Sequence, residues 1–93
     1  MIEVTFQVSL YPLSQKNIHT PIDEFINELM KRKLKVKVHE TSTIGSGDLD
    51  SVLDSIKRAY TKACEHGEAV MVLTISNSCP TFEELHKLNE PKD

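Results

Sequence analysis

Ninety-three residues make one domain, and 39% hydrophobic with 27% charged residues, no long apolar run and no basic-apolar leader describe a globular, unprocessed, cytoplasmic chain without membrane insertion. A formal charge of −3 and one short basic run, Lys31-Arg32-Lys33, argue against nucleic acid as a partner. Cys64 and Cys79, without CxxC or a histidine at ligand spacing, indicate neither a metal site nor a disulfide framework. A chain this small buries only about 60–70% of its unfolded surface, so association with further copies would help it.

Residues 2–13 alternate, with Val4, Phe6, Val8 and Leu10 on one face and Thr5, Gln7, Ser9 and Tyr11 on the other, the mark of a strand buried on one side. Pro12 then limits ladder bonding, and 14–19 form a polar connection. Thr20-Pro21 is expected to start the first helix, an N-cap hydroxyl followed by proline at the first helical position, with Asp23 and Glu24 complementing the positive dipole end. Ile22, Phe25, Ile26, Leu29 and Met30 recur at helical spacing, and the basic run suits the last turn.

Alternation resumes over 34–41, with Leu34, Val36 and Val38 inward and Lys35, Lys37, His39 and Thr41 outward, and a short third strand is expected over 43–46. Gly47-Asp48 then opens a long helix whose stripe carries Leu49, Val52, Leu53, Ile56, Ala59, Tyr60, Ala63 and Cys64, the last expected in the core. Gly67 ends it as a left-handed cap. Residues 69–76 are nearly all apolar and β-branched, as in a central strand. The tail over 79–93 carries a capping-box pattern at Thr81-Phe82-Glu83-Glu84, consistent with a short helix.

The order strand, helix, strand, strand, helix, strand over 1–78 is the split βαβ arrangement of an α+β, ferredoxin-like βαββαβ sandwich, a four-stranded antiparallel sheet with both helices on one face. The other face collects hydroxyls together with Val70 and Val72, a mixture suited to packing against a second copy.

No histidine among His19, His39, His66 and His86 has a local nucleophile signature, so no catalytic residue is assigned. Asp48 and Asp50 open a helix, where carboxylates stabilise free amides; for Asp48, a cap alone and a cap that also meets a ligand both stand. Gly45-Ser46-Gly47 at that helix start carries a weak anion-binding signal without the lysine of a P-loop. Ser9, Tyr11, Thr41, Ser42 and Thr43 remain: hydroxyls donate and accept, and tyrosine adds a flat face, so together they could satisfy a heterocycle. The plainer reading is that Thr and Ser suit a strand edge.

At these residues the chain resembles the YkoF-like family of thiamine-binding proteins. The matching features are Val8-Ser9-Leu10-Tyr11-Pro12-Leu13 ending the first strand, Thr41-Ser42-Thr43 before the third, and Gly47-Asp48-Leu49-Asp50 opening the second helix. The resemblance implies binding, without catalysis, of thiamine or its hydroxymethylpyrimidine part, in salvage or transport. It implies no cofactor and a cleft on the open sheet face near a partner domain. Ser9, Tyr11, Thr41, Ser42, Thr43 and Asp48 carry over as candidate contacts, and because the duplicated members hold two such domains, a homodimer or dimer of dimers would supply the second here. The competing reading is a ligand-free oligomeric regulatory or interaction module. An acylphosphatase-type hydrolase is disfavoured because 14–17 lack an arginine, and an RNA-binding version of the fold because only Tyr11 faces outward among aromatics.

Overall fold

In the computed structural model, residues 2–14, 16–31, 34–39 and 42–78 are described. They form β1 (Glu3–Pro12), α1 (His19–Met30), β2 (Lys35–Val38), β3 (Thr43–Asp48), α2 (Leu49–Cys64) and β4 (Ala69–Ser76). The strands make one antiparallel sheet in the order β2-β3-β1-β4, the ferredoxin-like arrangement expected from the pattern. The short helix expected within 79–93 lies outside the described residues.

Alternation along β1 explains the layering. Val4, Phe6 and Val8 are buried against Phe25 and Leu29 of α1 and Val52, Ile56, Ala59 and Ala63 of α2. Val36 of β2 and Met71, Leu73 and Ile75 of β4 pack around this core. Burying a Phe, Leu or Val side chain is worth about 1.5–3 kcal/mol each, so this one apolar layer supplies most of the driving force. Tyr60 ties α2 to the sheet by donating its hydroxyl to the Ala69 carbonyl at 2.7 Å. The Cys64 thiol beside it holds the Tyr60 phenol above its usual pKa.

Several local expectations are corrected. α1 begins before Thr20-Pro21: the Asn17 carboxamide oxygen accepts from the amides of His19 at 2.9 Å and Thr20 at 3.4 Å, while its nitrogen donates to the Thr20 hydroxyl. The N-cap position is Ile18, which makes no side-chain cap bond, and Asn17 just before it supplies the acceptor, with Thr20 bonded back to it. Pro21 is buried at the third position of the first turn, where its missing N–H still falls among the amides a helix start leaves unbonded. Lys31 follows the helix and pairs with Glu28 at 2.9 Å.

The second strand stops at Val38 instead of running to 41. The third runs through to Asp48, which closes β3 opposite Glu3 and caps α2. Leu53 and Cys64, at the margins of the α2 stripe, are exposed, because the sheet and α1 cover only the arc from Val52 to Ala63. Gly67 has φ 142°, a conformation that L side chains rarely adopt, and lets the chain reverse into β4. Among the described residues no helix is long and apolar enough to cross a membrane.

Candidate functional site

β3 pairs with β1 only as far as Val8↔Thr43, whereas β1 continues to Pro12 alongside β4 alone. The β2–β3 ladder also ends there, at Val38↔Thr43, with the His39 amide donating to the Ser42 carbonyl at 2.8 Å. The sheet therefore opens beyond Val8, and α1 lies over the opening. The result is a shallow cleft of about 80 Å³. Val8, Leu10, Ile22, Phe25, Ile26 and Val38 give it an apolar lining, and Ser9, His39, Ser42 and Thr43 supply its polar groups. Among the described residues its lining contains no carboxylate, and His39 is the one titratable side chain.

Three of the six residues singled out from sequence, Ser9, Ser42 and Thr43, thus meet at one cleft. Thr43 does so from the helix-facing side: it is only 5% exposed and sits opposite Val8, which is in the core. Ser9 stands at the boundary, lining the cleft while alternation groups it with Tyr11 on the open face. Tyr11, half exposed and opposite Val70, belongs to that open face with Val72 and Thr74. Thr41 lies outside the described residues.

Asp48 is not part of this group. It pairs with Glu3, six residues along β1 from Ser9, a separation of about 20 Å at strand rise. No molecule the size of a heterocycle could touch both within one chain. Its carboxylate accepts from the Ser51 amide at 3.0 Å, and hydrogen bonding to Ser51 holds its pKa below the usual carboxylate value. Within the chain, this is a helix cap.

Gly45 and Gly47 also have packing reasons. A Cβ on Gly45 would stand 2.6 Å from Phe6 Cζ and 2.7 Å from the Lys35 carbonyl oxygen, and one on Gly47 2.5 Å from Leu34 Cδ2. The glycines make room for side chains of the core, which accounts for them without an anion. Sequence reasoning missed the contribution of α1: Ile22, Phe25 and Ile26 looked like core stripe, and only the early end of β3 exposes their edge to the cleft. Among the described residues no group of three or more His, Cys, Asp or Glu side chains could hold a metal ion.

The model of the YKOF-related family matches residues 3–82. None of the curated proteins matches the chain. Among solved structures, a hypothetical protein from Methanocaldococcus jannascii is similar at 27% identity and TM-score 0.82, covering 95% of this chain and 96% of that one. A domain of unknown function (DUF77) from Bacillus cereus is similar at 25% identity and TM-score 0.77, over 88% and 85%. A candidate thiamine biosynthesis/salvage protein from Thermotoga maritima shares the fold at 21% identity and TM-score 0.82, over 95% and 99%. With the family match running from β1 through β4 and into the tail, the chain belongs to the YKOF-related family.

Proposed function

We propose that the protein binds thiamine or its hydroxymethylpyrimidine moiety without transforming it, as a carrier in thiamine salvage or transport. The observation that carries this reading is the meeting of Ser9, Ser42 and Thr43 over an apolar lining, in a chain of the YKOF-related family. An aminopyrimidine presents an exocyclic donor beside ring acceptors. Hydroxyls match both kinds of group, and the apolar lining suits the ring faces. The thiamine-related description of the Thermotoga maritima protein, which has the same fold, points the same way.

Size sets a condition. Small-molecule pockets usually span about 300–1,000 Å³, and this cleft offers about 80 Å³. A ligand seated there needs a further wall, which a second copy, in a homodimer or dimer of dimers, would have to supply at the cleft mouth; the half-exposed Tyr11, Val70 and Val72 lie on the opposite face of the sheet and suit a separate contact. The same small volume favours one competing reading, a ligand-free oligomeric module whose open face is interface only.

Isothermal titration with thiamine, hydroxymethylpyrimidine and thiamine diphosphate, beside light scattering, separates the two. Micromolar binding of either of the first two at one site per chain or chain pair supports the carrier. A well-folded oligomer that gives no heat with any of them supports the module.

A further inference from the structure

The cleft has a closed end and a mouth. Thr43, buried in β3 opposite Val8, stands at the closed end, whereas His39 is exposed just past the end of β2, beside the half-buried Ser42. An aromatic ring that enters such a site goes to the apolar end and a charged substituent stays at the wet one, because burying a charge without a partner is costly. The two ligands of the carrier reading differ in that substituent. Hydroxymethylpyrimidine ends in a neutral hydroxyl, and thiamine carries a permanently cationic thiazolium on the same carbon. Among the described residues the lining offers no carboxylate to offset that cation, and Asp48 is about 20 Å from Ser9 along β1.

We infer that His39 selects the ligand by charge: as its imidazole is protonated, the cleft turns against a pyrimidine joined to a thiazolium and keeps one with a neutral substituent. The inference rests on the carrier reading and adds to it the residue that decides between the two ligands. Histidine is the side chain whose charge ordinarily changes between about pH 5 and 8. Two unit charges about 6 Å apart at a solvated mouth repel enough to weaken binding about three- to tenfold, and less at high salt. A hydroxymethyl group meets no such repulsion and can accept from a ring N–H. The surrounding elements bring these other groups. Over 8–13, β1 carries only the Tyr11 phenol, on the open face. On α1, His19 precedes Ile22 by one turn, while Asp23 and Glu24 follow it, with Glu24 bonded to His66. β2 brings Lys37, which alternation turns away from Val38. Glu40, next to His39 in sequence, lies outside the described residues. Among the described residues with a titratable side chain, His39 is the one that lines the cleft.

Isothermal titration of the full chain with thiamine and with hydroxymethylpyrimidine, for the parent and for His39→Gln, His39→Lys and His39→Glu, reads the ratio of the two affinities. At about pH 8, where histidine is mostly neutral, His39→Lys should shift that ratio against thiamine about three- to tenfold relative to His39→Gln, and His39→Glu about as far the other way. On lowering the pH to about 6, the parent's ratio should move toward that of the Lys variant. Its shift should exceed that of the Gln variant, which carries whatever protonation of the ligand's own ring contributes. A ratio equal in the three variants overturns the inference and leaves the carrier reading standing. A pH dependence as large in His39→Gln as in the parent overturns it too, with His19 or the ligand ring as the titrating group. If the parent binds neither ligand at either pH, the carrier reading itself fails and the inference falls with it.

Discussion

Phe6 and Gly45 stand opposite each other in the β1–β3 ladder, and the Phe6 ring occupies the space a side chain at 45 would need. The ring is 1% exposed, and the other close atom is a backbone carbonyl of Lys35 in β2. Neither can withdraw without moving a strand. Gly45→Ala is therefore expected to destabilise the fold by about 1–3 kcal/mol. The reading is a lower urea midpoint at unchanged m value. Combined with Phe6→Leu it should cost less than the sum of the two changes, because removing the ring relieves one contact and leaves the Lys35 carbonyl in place. Full additivity would mean that the ring and the glycine do not compete for the same space.

What the sequence discloses depends on how unambiguous each alternation is. Val4, Phe6 and Val8 face one way among polar neighbours, so the sheet face was readable from β1, whereas the apolar run of β4 suggested a central strand and the sheet order places it at an edge. Thr41-Ser42-Thr43 offers no such contrast. Three hydroxyl residues in a row do not say which of them faces the helices, and only the pairing of Thr43 with Val8 decides it. The start of α1 misled for a similar reason, since Asn17 and Thr20 both carry capping side chains, and it is the Asn17 carboxamide that accepts from the first amides. Asp48 was legible as a cap from Gly-Asp alone. Its distance from Ser9 was not, because separation along a strand follows from register, which local sequence does not carry.

Ser55 is fully buried on α2 and its hydroxyl has no hydrogen-bond partner among the described residues. A buried polar group without a partner costs about 1–3 kcal/mol, and alanine is also the better helix former. Ser55→Ala should consequently raise stability by about 1 kcal/mol in urea unfolding. A loss of stability would reveal an engaged hydroxyl and remove the argument.

The cap at Asp48 makes stability depend on pH with a definite sign. Hydrogen bonding to Ser51 lowers the folded-state pKa below the unfolded value, so the folded state favours the charged carboxylate. That contribution is fully present above the unfolded value, and is lost as pH falls through the lowered folded value. Asp48→Asn keeps an acceptor for the Ser51 amide but cannot titrate. Its melting temperature should thus depend less on pH below the ordinary carboxylate range than that of the parent. Asp48→Ala removes the acceptor altogether and should melt about 4–8 °C lower at neutral pH. Parallel pH profiles for the parent and the Asn variant would mean that other carboxylates dominate acid unfolding.

The geometry of the cleft divides the five sequence candidates among the described residues in a way that binding measurements can check. Ser42→Ala and Thr43→Val each delete one hydroxyl from the lining while keeping the side chain small or its volume close. If a pyrimidine is read there, each deletion removes one neutral hydrogen bond, about 0.5–1.5 kcal/mol, and weakens affinity about two- to tenfold. Asp48→Asn, at about 20 Å along β1 from Ser9, should leave that affinity unchanged if the ligand contacts one chain only. Titration of the three variants beside their urea midpoints separates lost contacts from lost folding. Weakening by Asp48→Asn alone, with the two cleft variants unaffected, would move the site to the junction of β3 and α2, where a second copy would have to bring the hydroxyls. Weakening by the cleft variants alone would leave Asp48 as the cap that its bond to Ser51 makes it.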